Sequence, residues 1–344
     1  MNLIDLAQRM QLAMHIPDGF LSVPVALAWW ALTIVMIGIA VRQIGDSLNE
    51  RQIPLMGVMA AFIFAAQMLN FPVLGGTSGH LLGGALAALL LGPWAGILVM
   101  SCVIALQALL FQDGGLLALG ANIFNMGIAT AAIGYFAGMP LLRLFGGKRW
   151  GLVVAGFITA WLSVMVAATL TSVELVISGL SAAVVFPAML FVHMFIGIGE
   201  GLITVAALAF VVSTRPDLAA TLAGYLSPEA LRRPVGRGSM IGVTGVGLLI
   251  AVGAALLSPL ASASPDGLER VAEDKGFLDQ ALGPVFNLLP DYTIPGLDGP
   301  VSTILAGIIG LLIVFALVYG VSLLLRGRGE GRAIGQQSGS RSGD

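Results

Sequence analysis

Three histidines, His15, His80 and His193, stand in three different settings in a chain of 344 residues. His15 belongs to MHIPDGF (14–20), a polar, turn-forming heptad that leads straight into an apolar run. His80 closes GGTSGH (75–80) just ahead of another apolar run. His193 lies inside a third, with Glu200 two helical turns further along the same face. Neutral imidazole is the commonest protein metal ligand and suits nickel, cobalt, zinc and copper. Two histidines cannot hold a divalent ion alone, so further donors must come from elsewhere. The backbone can supply them. A mature chain beginning at Met14 would place its free amine, the amide nitrogen of His15 and the His15 ring in successive five- and six-membered chelate rings. His80 would then be the fourth nitrogen of a square plane, a geometry that favours Ni(II) and Cu(II). The turn at Pro17-Asp18-Gly19 would fold this segment back toward the rest of the protein. From the residues alone, a second reading stands beside this one: His15 as an interfacial residue next to a turn, and His80 at the N-terminal end of a helix.

The elements that must position these groups are membrane helices. The chain is 58% hydrophobic and only 10% charged, with a mean hydropathy of +0.98; soluble domains carry about 25% charged residues. Runs of about 20 apolar residues, the length of a crossing, occur at 22–41, 54–73, 93–112, 116–138, 151–175, 181–212, 239–261 and 301–325. His80–Leu91 is a further, short helix, for nine crossings in all: an all-α polytopic bundle of about seven helices followed by two more. With the short helix counted, 13 of the 16 Lys and Arg residues fall on one side. By the positive-inside rule that side is cytoplasmic, which puts residue 14 outside and the C-terminus inside. His15, His80, Asp18, Asp113 and most of the acidic residues of 262–300 then share the outer face.

Net charge near zero (−2) gives no reason to expect nucleic-acid binding. The single cysteine, Cys102, excludes an internal disulfide and reads as a buried core residue. No phosphate-binding G-x-x-x-x-G-K-[ST] string is present, so ATP hydrolysis would have to come from separate subunits. No catalytic residues and no prosthetic group are expected. Asn70, Gln107, Asn122 and Asn125 lie near the outer ends of helices, where they can orient metal-bound histidines or join helices. His193 and Glu200 read as intramembrane polar residues that bond between helices or serve an ion relay.

Several strings resemble one family closely. MHIPDGFL (14–21), AAQMLNFPV (65–73) with GGTSGHLLGGALAALLLGPWAGILVM (75–100), QALLFQDGGLLALGANIFNMG (107–127) and HMFIGIGEGLIT (193–204) are similar to the substrate-capture (S) component of energy-coupling-factor cobalt/nickel transporters, the CbiM/NikM-like proteins. SPDGLER (264–270) resembles the PDGLE module, CbiN/NikN-like, fused to or encoded beside them. The resemblance implies Met14, His15 and His80 as metal donors and Ni²⁺ or Co²⁺ as the substrate. It also implies a transmembrane coupling subunit (T component) and ABC-type ATPase subunits as partners, in a bacterial or archaeal cytoplasmic membrane. A small-residue stripe, Gly57, Ala61 and Ala65, would meet the coupling subunit.

The expected organisation is an extension at 1–13 outside the mature protein, a capture domain at 14–212 and a cytoplasmic linker at 213–238. A two-helix accessory module follows at 239–325, with its outer loop at 262–300 and acidic residues Asp266, Glu269, Glu273, Asp274 and Asp279. A disordered tail at 326–344 ends the chain. The alternatives are a stand-alone secondary carrier or channel for divalent metals, an organic-vitamin capture protein and an intramembrane enzyme.

Overall fold

Hydrocarbon offers no hydrogen bonds, so a chain that crosses it must pair its backbone groups within each segment. This chain does so with helices. The computed structural model describes residues 15–44, 48, 50–215, 220–228, 230, 240–286 and 288–340. In order, the chain forms α1 (Val23–Ile44), α2 (Gln52–Gln67), a two-stranded hairpin β1 (Phe71–Val73) and β2 (Thr77–Gly79), α3 (Gly84–Leu91) and α4 (Pro93–Leu106). Then come α5 (Leu119–Asn122), α6 (Thr130–Phe136), α7 (Gly138–Leu144), α8 (Arg149–Ile177), α9 (Ala182–Thr214) and α10 (Ala220–Ala223). The last elements are α11 (Met240–Leu257), α12 (Gly267–Lys275) and α13 (Pro300–Ser340). Seven helical stretches among the described residues are long and apolar enough to cross a membrane. The protein is therefore an all-α, multi-pass membrane protein.

Helices α2 and α3 are too short to count among those seven. At eight residues α3 is roughly 12 Å long and is buried along its whole length. Irregular backbone at membrane depth is tolerated where protein surrounds it, and the segment leading into α3 meets that condition. The apolar run 54–73 does not stay helical to its end. It leaves the helix at Gln67, and Phe71–Val73 pairs with Thr77–Gly79 (Phe71 opposite Gly79, Val73 opposite Thr77). Pro72 and the left-handed glycines Gly75 and Gly76 make a tight hairpin of what hydropathy reads as helix. His80 accordingly lies just past β2, ahead of α3, and is not a helical residue. One π-helical turn, Gln107–Phe111, ends α4, and another, Ile123–Ala129, joins α5 to α6; such turns are frequent at functional sites.

The C-terminal helices pack on α2. Lipid is as apolar as Leu, so membrane helices associate through close packing, and small residues permit it. A Cβ on Gly57 would lie 2.9 Å from the Phe315 ring, and one on Gly307 would lie 2.9 Å from Met68. Gly247 receives Val58, and Gly310 receives Phe64 and Phe111. This corrects one expectation: Gly57, Ala61 and Ala65 are buried, with Ala61 and Ala65 fully inaccessible. The stripe faces this chain's own helices and is not open to a separate subunit. At the end of the described residues, α13 runs to Ser340.

Gly134 shows how tight the central packing is. A Cβ there would lie 2.7 Å from the Ala85 Cα and 2.8 Å from its carbonyl oxygen, backbone atoms with no freedom to move. Gly134→Ala is expected to destabilise the protein by about 1–3 kcal/mol, read as a lower melting temperature in detergent. Gly38→Ala, with nothing within 4 Å of the added carbon, should not lower it.

Candidate metal centre

The segment after Met14 is tied down by polar contacts along its length. Asn122 pairs with Ile16 in both directions: its Oδ1 accepts the Ile16 N–H at 3.0 Å and its Nδ2 donates to the Ile16 carbonyl at 3.0 Å. Asp18 accepts the N–H groups of Leu116 (3.0 Å) and Ala118 (2.9 Å), satisfying free donors just before α5 begins. The Gly115 N–H returns a bond to the Ile16 carbonyl. Only glycine fits where these two segments cross. Gly114 has φ +102°, and a Cβ on it would stand 2.9 Å from the His15 Cβ. The result is a buried His15 whose Nδ1 lies 2.9 Å from the Asp113 carbonyl and 3.1 Å from Asp113 Oδ1. Burial disfavours charge on the ring, but the Asp113 charge and hydrogen bonds outweigh it and raise the His15 pKa above its ordinary value. Conversely, burial would push Asp113 up, and the His15 charge with hydrogen bonds from His15 and Tyr292 holds it below the usual carboxylate range. The other ring nitrogen, His15 Nε2, is buried without a hydrogen-bond partner.

The His80 segment is held from the opposite side. Glu200, fully buried on α9, accepts the N–H groups of Leu82 (2.6 Å) and Gly83 (3.0 Å). These are backbone donors at the start of α3, so the carboxylate also sits at the positive end of that helix. Gln67 Nε2 donates to the Leu82 carbonyl at 2.9 Å. A Cβ on Gly79 would be 2.8 Å from Ile196, so α9 also backs the strand before His80. With both segments fixed, the His15 and His80 rings stand 5.7 Å apart, centroid to centroid, with perpendicular planes. A first-row ion sits about 2 Å from an imidazole nitrogen, so the two rings are close enough to share one.

All three histidines line one cavity of about 70 Å³, joined by Asn122, Asn125 and Asp266. The cavity accommodates an ion and is far below the roughly 300–1,000 Å³ of pockets for organic ligands, which argues against the vitamin reading. Its roof is the PDGLE turn. Ser78 Oγ donates to the Ser264 carbonyl (2.7 Å), and the Ser78 N–H donates to the Pro265 carbonyl (2.8 Å). A Cβ on Gly267 would be 2.7 Å from Ile196 and 2.9 Å from His193. Asp266 caps α12 through the Glu269 N–H (2.7 Å), and burial beside Asp113 pushes its carboxyl up to about 7.

Among the residues singled out from sequence, the structure thus brings together His15, His80, His193, Asn122, Asn125 and Asp266. Glu200 is not in the cavity; it holds the segment that carries His80. Asn125 donates to Glu174 (2.9 Å) and Thr171 (3.2 Å), and Gln107 donates to the hydroxyl of Tyr292 (3.1 Å). Asn70 stands apart, its carbonyl accepting the Ser262 N–H. Met14 lies outside the described residues. His15 Nδ1, the nitrogen that a six-membered chelate through the His15 amide would use, faces Asp113. Among the described residues, no group of three His, Cys, Asp or Glu side chains can hold an ion, so donors beyond the imidazoles must be of another kind. Sequence reading missed Asp113 and Tyr292 as site residues. They are 179 positions apart, and no local pattern links them.

A multi-pass bundle around two facing imidazoles defines a membrane protein with a metal-sized site, and the comparisons agree. Residues 15–218 match the family model for the cobalt uptake substrate-specific transmembrane region (CbiM), and residues 237–327 match the PDGLE domain. An Archaeoglobus fulgidus protein bearing the fused nickel transport name NikMN is 37% identical over 91% of this chain and 99% of its own. The fused nickel transport protein NikMN of Rhodobacter capsulatus is 33% identical, covering 69% of this chain and 73% of that one. The crystal structure of a truncated transition metal transporter superposes with a TM-score of 0.52 at 32% identity, over 58% of this chain and 98% of that one. The chain belongs to the CbiM family of cobalt and nickel transport proteins, in the form that carries a fused C-terminal PDGLE module.

Glu200→Gln replaces one acceptor oxygen with a donor facing a backbone N–H. We expect it to loosen the His80 segment and weaken Ni²⁺ binding roughly 10- to 100-fold, measured by calorimetric titration of the purified protein. Unchanged affinity would show that the segment is held without it.

Proposed function

We propose that this protein captures Ni²⁺ or Co²⁺ at the outer face of the cytoplasmic membrane. It takes the ion across as the substrate-capture component of an ATP-driven energy-coupling-factor transporter. The observation that carries the reading is the pair of buried imidazoles 5.7 Å apart, one of which offers an unpartnered nitrogen beside an ion-sized cavity. His15 and His80 are the protein ligands we assign. Met14 supplies a further nitrogen when the mature chain begins there with a free amine. Asn122 and Asn125 orient the site from α5 and the π-turn behind it, and His193 forms part of its wall.

The side of the bundle that bears the histidines faces outward in this reading, supported by the concentration of Lys and Arg on the opposite side. ATP hydrolysis falls to separate ABC-type subunits joined through a transmembrane coupling subunit. The transported ion serves cobalamin synthesis or nickel enzymes. Imidazole nitrogen suits both metals, and the same histidines serve either.

The test is accumulation of radiolabelled nickel and cobalt in cells expressing this chain with and without cognate coupling and ATPase subunits. The expected result is uptake only with the full set, lost in His80→Ala together with high-affinity binding to the purified protein. Uptake that persists without the ATPase subunits would instead identify a self-sufficient carrier, and retained affinity in His80→Ala would refute the site.

A further inference from the structure

We infer that His193 on α9 is a second, inner ligand for the transported ion, which it receives from His15 and His80 inside the cavity the three share. The inference rests on the metal site proposed above. His193 lines the cavity with the other two histidines, yet among the described residues no three His, Cys, Asp or Glu side chains can hold one ion. It is therefore not a further ligand at the His15–His80 position but marks a second position beside it. Its ring is prepared for that task. Nδ1 lies 2.8 Å from the Met189 carbonyl. A carbonyl only accepts, so the single N–H of the neutral ring is on Nδ1 and Nε2 carries the lone pair. Metal-bound histidines commonly give their second ring N–H to a backbone carbonyl in this way. His80, an assigned ligand, makes the same kind of contact with the Leu81 carbonyl at 3.0 Å. A Cβ on Gly267 would stand 3.1 Å from His193 Nε2, so glycine in the roof leaves room at that nitrogen.

Asn125 brings another donor to the same cavity. Its Nδ2 is held by Glu174 Oε2 (2.9 Å) and Thr171 Oγ1 (3.2 Å), and its Oδ1 is buried without a hydrogen-bond partner. An unpaired buried acceptor is costly, and a water carried by an ion at His193 would satisfy it. The place of His193 in the fold gives the direction of transfer. His15 and His80 belong to irregular segments, whereas His193 is in the middle third of a 33-residue helix, roughly 17 Å along it from Ala182. On α8, the cavity is lined by Val164, Ala167 and Ala168, which offer an ion nothing. When the irregular segments release the ion, His193 is the imidazole that the long helices present. Since Nε2 already carries a lone pair, the exchange replaces one nitrogen donor with another and releases no proton.

His193→Gln keeps a polar side chain and removes the imidazole. In cells expressing the full chain with cognate coupling and ATPase subunits, uptake of radiolabelled Ni²⁺ should fall roughly tenfold or more. The Ni²⁺ affinity of the purified protein, by calorimetric titration, should fall far less. His193→Cys reports contact with the ion directly. Combined with His80→Ala, it should give a thiolate-to-cobalt charge-transfer absorption when Co²⁺ is added to the purified protein. His80→Ala alone, which retains Cys102, should lack it. That signal also stands as the test should His193→Gln fail to fold, because a purely structural histidine would not produce it. Wild-type uptake in His193→Gln, an affinity loss as large as the uptake loss, or absence of the charge-transfer absorption would overturn the assignment. If His80→Ala binds Ni²⁺ like wild type, the metal site itself falls. If His80→Ala loses affinity while His193→Gln transports normally, only the role of His193 falls.

Discussion

A buried loop inside a membrane protein survives only if its amide groups find partners, and this requirement organises the histidine end of the molecule. Irregular segments meet there: residues 15–22, 68–83, 113–118 and the turn 261–266 that leads into α12. None has a regular backbone ladder beyond the three-residue strands of the hairpin. Buried carboxylates and amides do the work instead. Asp18 takes two N–H groups ahead of α5, Glu200 takes two ahead of α3, and Asn122 closes both bonds with Ile16. Each such pair would be costly if half made, so the segments have one arrangement in which all are satisfied. In that arrangement the two imidazoles face each other.

The fused module extends the same logic across the whole chain. Its helices settle on α2 through interlocking glycines and aromatic rings, a packing solution suited to lipid. Its loop then reaches the site at two points, the Pro265–Leu268 turn over the cavity and Tyr292 on Asp113. The N-terminal segment and the module also share a small apolar core. Ile16, Phe20 and Leu21 pack with Leu268, Val271 and Phe277, and the Phe20 and Phe277 rings meet edge to face at 5.2 Å. Residues at opposite ends of the chain thus form one unit around the site.

Much of this was legible in the sequence, because hydropathy is a strong signal over 20 residues and the quoted strings are specific to one family. The bundle, the fused module and both histidines follow from those alone. What escaped has physical causes. Hydropathy cannot separate a helix from an apolar hairpin, so Phe71–Val73 was absorbed into a span. The Gly57–Ala65 stripe announces a close helix neighbour without saying whose, and the neighbour is α13. A lone carboxylate in an apolar run reads as an oddity: Glu200 gains meaning only when Leu82 and Gly83 arrive from more than a hundred residues away. The contacts of Asp113 with His15 and Tyr292 are of the same long-range kind.

The central claim is that one ion is shared by two imidazoles, and X-ray absorption at the nickel edge of the loaded full-length protein addresses it directly. The account predicts a nitrogen-dominated first shell with the outer-shell scattering of two imidazole rings per ion. A shell containing sulfur, or one built of oxygen with no imidazole signature, would contradict it.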